Sequence, residues 1–293
     1  MFSGSLVAIV TPMTAEGAVD FTALEQLVDL HISAGTDGLV VAGTTGESAT
    51  LTKSEHIAVI EAAVSFTAGR VPVIAGTGSN STAQTVELSQ TVDAMGVDGY
   101  LVVTPYYNKP PQQGLVEHFK TVADAVGKPL MLYNVPGRTG VDLLPETVAR
   151  LATHPGIFGI KEATGELDRV AKLRELCGVE FMLYSGDDET SREFMLAGGN
   201  GIVSVTANVA PAAMASMCQA ALAGDADKAA ELDAPLAGLH RDLFIESNPI
   251  PVKWALQRMG LIGGGLRLPL VALAEGNQVV VEAALEQAGL LDK

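Results

Sequence analysis

Two cysteines among 293 residues leave little room for thiol chemistry. Cys177 and Cys218 fall in predicted helices, without CxxC or Cys/His spacing, and read as buried thiols. A disulfide framework, a thiolate zinc site and a catalytic thiol all lack support. The five histidines are scattered through helices and loops, which suggests neither a zinc site nor a Ser-His-Asp triad. Basic residues are also few, 18 against 34 acidic ones, for a net charge of −16. With no basic stripe interleaved with aromatics, nucleic acid and anionic lipid are poor partners. No apolar run reaches the roughly 18 residues of a membrane span. The N-terminal "MFSGSLVAIVTPM" lacks a basic n-region and a long apolar h-region, so a cytoplasmic protein is expected. No GxGxxG follows the first apolar run, which argues against a Rossmann domain, and no Pro/Ser-rich linker divides the chain.

What is present is a repeated alternation. Aromatics are sparse, so the core falls to Val, Ile, Leu and Ala. Eight short apolar runs read as strands: "LVAIV" (6–10), "GLVVAG" (38–43), "VPVIAG" (71–76), "GYLVVTP" (99–105), "PLMLYN" (129–134), "IFGIK" (157–161), "FMLYS" (181–185) and "GIVSV" (201–205). They are nearly continuous in apolar character, as parallel strands covered on both faces require. Helical windows such as "TALEQLVDLHISAG" and "STAQTVELSQTVDAMG" lie between them; Asp20 is placed to cap the first, and both end at glycine. Eight βα units predict an α/β fold, a (β/α)8 TIM barrel. Helical patterns around 210–223, 225–246, 250–259 and 278–290 exceed what the barrel needs. The expected organisation is a barrel over 1–224 carrying the active site, with a C-terminal helical extension over 225–293 packed on it.

Active sites of such barrels lie at the carboxyl ends of the strands, which turns the strand runs into a site prediction. The second strand runs into "GTTGES" with Thr44, Thr45 and Glu47; the fourth into "TPYYNKP" with Tyr106 and Tyr107; the fifth into "YNVPGRTG" with Tyr133 and Arg138. The sixth ends at Lys161, the seventh at "SGDD" and the eighth at "SVTAN". Tyr106, Tyr107, Tyr133 and Tyr184 fall near strand ends, where phenols suggest proton handling. Lys161 follows apolar Ile157 and Ile160, and desolvation favours the neutral amine that a nucleophile needs. Glu162 either orients that lysine or is a surface charge. Lys253, in "NPIPVKWALQRMG", lies past the last strand, and its reading is a stem packed beside Trp254. "GTTGES" reads either as a carboxylate- or phosphate-binding cradle or as a plain Gly-rich turn. Arg138 reads as a carboxylate clamp or a surface ion pair. "GDDE" (186–189) reads as an N-cap with first-turn acids in preference to a metal site.

The set "GTTGES", "TPYYNKP", "YNVPGRTG", "GIKEATG" and "NPIPVKWA" resembles the dihydrodipicolinate synthases, also called 4-hydroxy-tetrahydrodipicolinate synthases, of the pyruvate-dependent class I aldolase superfamily. The resemblance runs from "GSLVAIVTPM" to the C-terminal helices. It implies condensation of pyruvate with L-aspartate 4-semialdehyde on the diaminopimelate route to lysine, with no metal or organic cofactor. Lys161 resembles the Schiff-base lysine, and Tyr133 the proton carrier linked through Thr44 to Tyr107. The counterpart of Tyr107 reaches into a neighbouring subunit's site, which implies a homo-oligomer, usually a tetramer built as a dimer of dimers. Thr45 resembles the residue that binds the pyruvate carboxylate, with backbone contacts near Gly186 and Val203, and Arg138 the clamp for the semialdehyde carboxylate. The family's lysine-inhibitor pocket corresponds to Ser48, Ala49, Lys53, His56, Asn80, Gln84 and Tyr106. Lys53 and Gln84 stand where lysine-sensitive relatives usually have histidine and glutamate, so weak or absent inhibition is expected. N-acetylneuraminate lyase and the keto-deoxy sugar acid aldolases share the lysine, the tyrosine and a GxxGE-like turn; Arg138 and the Tyr106–Tyr107 pair favour the synthase. A barrel that has lost catalysis is opposed by the joint presence of Lys161, Tyr133, Thr44, Tyr107 and Arg138.

Overall fold

A computed structural model describes residues 2–291. Its eight strands are β1 (Gly4–Ala8), β2 (Gly38–Val41), β3 (Val73–Gly76), β4 (Gly99–Val103), β5 (Leu130–Asn134), β6 (Ile157–Glu162), β7 (Met182–Ser185) and β8 (Gly201–Ser204). They form a closed barrel in chain order, with every pair parallel and β8 returning to β1. Closure brings two backbones close together: a Cβ on Gly201 would lie 2.2 Å from the Gly4 carbonyl oxygen, so only glycine fits that seam.

Alternation along each strand divides the core in two. Leu6, Ala8, Val40, Ile74, Leu101, Met131, Met182 and Val203 fill the barrel interior. Val7, Leu39, Val41, Val102, Leu132, Ile160 and Leu183 face the surrounding helices. Both faces are apolar, which is why the strands appear as unbroken hydrophobic runs. Asp20 caps the helix Phe21–Ser33 by accepting from Ala23 N at 3.0 Å, and Ser81 caps Thr82–Asp93 from Gln84 N at 3.4 Å. Gly35 and Gly96 follow those helices with positive φ.

Strand ends differ from the expected ones where apolar sequence continues into buried connections. β1 covers Gly4–Ala8 and not 6–10; Ile9 and Val10 remain buried, and Val10 N donates to the Asn208 side chain at 3.0 Å. Past β8 come helices at Pro211–Leu222, Ala226–Asp233, Ala237–Asp242, Ile250–Arg258 and Glu275–Gln287. The expected helix over 225–246 is broken by a 3-10 turn at Ala234–Leu236, where Pro235 supplies no N–H for the helical ladder. No helix among the described residues is long and apolar enough to cross a membrane.

Candidate active site

Lys161 and Tyr133 are register partners on β6 and β5. Both point into the barrel, and the Lys161 ammonium lies 4.4 Å from the centre of the Tyr133 ring. Both side chains are buried. Gly186, at the end of β7, leaves room for the lysine: a Cβ there would sit 2.9 Å from Lys161 Cε. These residues open on a cavity of about 200 Å³, lined also by Thr44, Thr45, Val135, Arg138, Asp187, Val205 and Asn248. The cavity lies at the carboxyl end of the strands, as expected for this fold.

Thr44 and Thr45 are carried by the turn after β2, which the C-terminal extension holds in place. Asn248 Nδ2 donates to Thr45 Oγ1 at 2.9 Å. Glu47, fully buried, adopts a left-handed backbone with φ of 55° and pairs with the ammonium of Lys253. Lys253 also donates to the Thr11 carbonyl at 3.0 Å. Burial pushes the Lys253 ammonium below the usual lysine range, and Glu47 opposes that shift. Lys253 therefore does more than pack a stem beside Trp254, the role its sequence context suggests: it is a buried cation paired with Glu47. A lysine stem among apolar residues reads alike whether it snorkels or meets a carboxylate 206 positions away.

Arg138 sits on a single helical turn, Pro136–Thr139, and its Nη2 donates to the Asn248 carbonyl at 3.3 Å, leaving most of its guanidinium at the cavity mouth. Tyr107 does not line this cavity. It has a positive φ and 88 % exposure, and it projects from the loop after β4. Val203 lies deeper in the barrel interior, and Val205 lines the cavity in its place.

A second pocket, of about 610 Å³, adjoins the first and shares Thr44, Val135 and Arg138 with it. Ser48, Ala49, Lys53, His56, Gln84 and Tyr106 line it, whereas Asn80 does not. His56 is buried and donates from Nε2 to the Gly76 carbonyl at 2.7 Å; burial pushes its pKa down. Gln84 accepts from the Ser79 hydroxyl at 3.0 Å, and the Lys53 ammonium pairs with Glu87.

Two further expectations change, and one open alternative is excluded. Tyr184 is a register partner of Lys161, yet its hydroxyl donates to the Phe2 carbonyl at the opposite mouth of the barrel and takes no part in the cavity. Strand tilt separates register partners in height, so nearness to a strand end did not place that phenol. Asp188 is not a first-turn acid. It is buried and accepts from Ser204 Oγ, from Val205 N at 2.8 Å and from Thr206 N at 3.3 Å, shaping the turn after β8. Glu162 is not a surface charge; it is buried on the helix side of β6, bonded to Arg169 at 3.1 Å and Asn134 at 3.2 Å. Of the thiols, Cys218 is buried and Cys177 half-buried, and burial pushes Cys177 up to about 11. Asn248 and Val205 were assigned no role in the sequence, and Asp187, read there only as part of an N-cap, accepts from Thr190 N at 3.1 Å while lining the cavity. Asn248 lay within a quoted motif, "NPIPVKWA", but nothing local tied it to the turn after β2.

The model of the dihydrodipicolinate synthetase family matches residues 1–288. A 4-hydroxy-tetrahydrodipicolinate synthase from Alcanivorax borkumensis is 59% identical over 292 residues, covering 100% of this chain and 99% of the relative. Among solved structures, the chloride-inhibited dihydrodipicolinate synthase of Acinetobacter baumannii complexed with pyruvate superposes with a TM-score of 0.98 at 52% identity, over 99% of this chain and 100% of that one. The first monomeric dihydrodipicolinate synthase variant superposes with a TM-score of 0.96 at 42% identity, over 99% of this chain and 98% of that one.

Proposed function

Because the chain belongs to the dihydrodipicolinate synthetase family, we infer that it is a 4-hydroxy-tetrahydrodipicolinate synthase, joining pyruvate to L-aspartate 4-semialdehyde through a Schiff base on Lys161. The observation that carries the residue assignment is the buried Lys161 amine stacked over the Tyr133 ring in a small cavity at the strand ends.

The chemistry follows from these positions. The neutral amine of Lys161 attacks the keto carbon of pyruvate, and loss of water leaves a protonated imine. The imine is an electron sink, so a methyl C–H of the bound pyruvate gives up its proton and leaves a neutral enamine. The enamine carbon attacks the aldehyde carbon of the semialdehyde, and the aldehyde oxygen takes a proton. The semialdehyde's amino group then adds to the imine carbon and releases Lys161, closing the ring. A lone phenol, with pKa ~10, is a weak base at neutral pH, so Tyr133 works through a relay that includes Thr44. Thr45 donates its hydroxyl proton to the pyruvate carboxylate, because Asn248 already supplies a donor to its oxygen. Arg138 grips the semialdehyde carboxylate. The side-chain oxygen of Asn248 is buried without a partner and offers an acceptor for the semialdehyde ammonium.

Tyr107 completes the relay from a neighbouring subunit, an assignment that its 88 % exposure and its absence from the lining of its own cavity support. The assembly in this reading is a homotetramer acting in the cytoplasm. The barrel of 1–224 holds the reacting groups, and the extension of 225–293 braces them. The second pocket is the counterpart of the lysine-inhibitor site. Reduction with borohydride in the presence of pyruvate tests the reading: a mass increase mapping to Lys161 is expected, and an unmodified lysine overturns it. Turnover with pyruvate and aspartate semialdehyde, set against sugar-derived aldehydes, separates the synthase from the sugar acid aldolases.

A further inference from the structure

The turn that carries Thr44 and Thr45 is fastened from three sides just downstream of them. Thr11 Oγ1 donates to the Gly46 carbonyl at 2.7 Å. Lys253 bonds Glu47 Oε1, and Arg267 N approaches Glu47 Oε2 at 3.4 Å. Glu47 holds a left-handed backbone that a residue with a side chain adopts reluctantly, so the turn needs an external anchor to keep it there. The anchor is a desolvated ion pair, with the side chains of Lys253 and Glu47 at 2% and 0% exposure. A buried charge without its partner is strongly disfavoured, which makes the pair a stiff tether. Five residues before Lys253, Asn248 takes hold of Thr45 itself. One segment of the extension therefore grips the turn at both ends.

We propose that Lys253 is a positioning residue for pyruvate: through Glu47 it locks the turn after β2 in the one conformation that aims the Thr45 hydroxyl at the substrate carboxylate beside Lys161. It touches no reactant. Its effect falls mainly on pyruvate, because the link from Lys253 to the Thr45 turn runs through Glu47, whereas Arg138 is carried by Pro136–Thr139 and meets this segment only at the Asn248 backbone carbonyl.

This inference rests on reading the Lys161 cavity as the pyruvate site, so the experiment has separate arms. Borohydride trapping of the wild-type protein with pyruvate reports on that reading alone. Steady-state kinetics of Lys253→Met and of Glu47→Gln/Lys253→Met report on the tether. The double variant carries neither buried charge and so avoids stranding one. The expected result is a KM for pyruvate raised by about tenfold or more, with the KM for the semialdehyde within about twofold of wild type. Glu47→Gln alone keeps the side chain's shape and one acceptor. It serves if the other variants fail to melt cooperatively, and it should shift the same ratio in the same direction by a smaller factor. Trapping in the wild type with no change in the ratio of the two KM values overturns the proposal while the pyruvate reading stands. Two KM values rising together show a merely structural pair, which also overturns it. A wild-type lysine that is not trapped removes the pyruvate reading and this proposal with it.

Discussion

Tyr133 and Lys161 are paired in register across β5 and β6, with the ammonium 4.4 Å from the centre of the phenol ring. The ring packs against the lysine and its hydroxyl is the group proposed to carry protons, so the two contributions can be separated by substitution. Tyr133→Phe keeps the packing and removes the proposed proton carrier. We expect kcat to fall by about a hundredfold, the low end of what a positioned acid–base group contributes. Borohydride should still trap pyruvate on Lys161, more slowly. A kcat within a few-fold of wild type would assign the proton transfer to another group.

Arg138→Lys tests the clamp. Lysine retains the charge but not the planar fork that holds a carboxylate by two parallel bonds. The KM for the semialdehyde should rise by about tenfold or more, while the extent of pyruvate trapping stays at the wild-type level. Equal loss for both substrates would make Arg138 a structural residue acting through its bond to the Asn248 carbonyl.

The sequence carried the residues that sit on strand ends, because two regularities encode them. Strands buried on both faces read as continuous apolar runs, and the barrel puts their carboxyl ends on one face. Lys161, Tyr133, Thr44, Thr45 and Arg138 follow from those two rules. Asn248, Lys253 and Arg267 do not, because each acts on the turn after β2 from more than 200 residues away, a relationship no local pattern records. Tyr184 shows the opposite failure. It satisfied the local rule and still points to the other mouth, since barrel tilt decides which end of a strand its side chain reaches. Glu162 stayed open and Lys253 read as a packed stem for one reason: a paired, buried charge looks like any other until its partner is known.

Free L-lysine should inhibit weakly or not at all. Gln84 offers an amide, already engaged by Ser79, where a carboxylate would attract the effector's ammonium. The Lys53 charge expected to repel the effector is instead paired with Glu87 at an exposed position, so the missing carboxylate at residue 84 carries this prediction. Initial rates across a lysine titration decide it, and potent, saturable inhibition below millimolar lysine would contradict it. Gln84→Glu should increase whatever sensitivity exists.

Behind Lys161 and Tyr133, Arg169 joins Glu162 at 3.1 Å to Asp142 at 3.0 Å, fixing the ends of β5 and β6 from outside the barrel. Burial pushes the Glu162 carboxyl above the usual range, and Arg169 is the main opposing influence. Arg169→Met leaves a buried carboxylate without its cation, at a cost of about 3 kcal/mol. The sign of the pH dependence follows. With its folded-state pKa raised further, Glu162 contributes less stability as pH rises through that value, so the deficit should be largest at neutral pH and shrink on acidification. Thermal melts of the variant from pH 5 to pH 8 measure it, and a deficit independent of pH would mean that the loss is one of packing.

Acid should also act through two histidines that no proposed step uses. His31 and His118 are buried, each with Nδ1 against a threonine hydroxyl, Thr36 at 3.2 Å and Thr82 at 2.9 Å, and each with Nε2 unpartnered. Burial lowers both from 6.5 to about 4. The unfolded chain takes up these protons near pH 6.5, whereas the folded protein resists them until about 4, so the unfolded state binds more protons throughout that window. Their contribution is fully present above the unfolded value and is lost as pH falls towards the folded one, amounting to roughly 3 kcal/mol for each histidine at most. The melting temperature should therefore drop steeply across this interval. His31→Asn/His118→Asn keeps an acceptor for each threonine and cannot titrate, so its curve should be shallower by about two protons. Parallel curves for the variant and the wild type would place the acid sensitivity elsewhere.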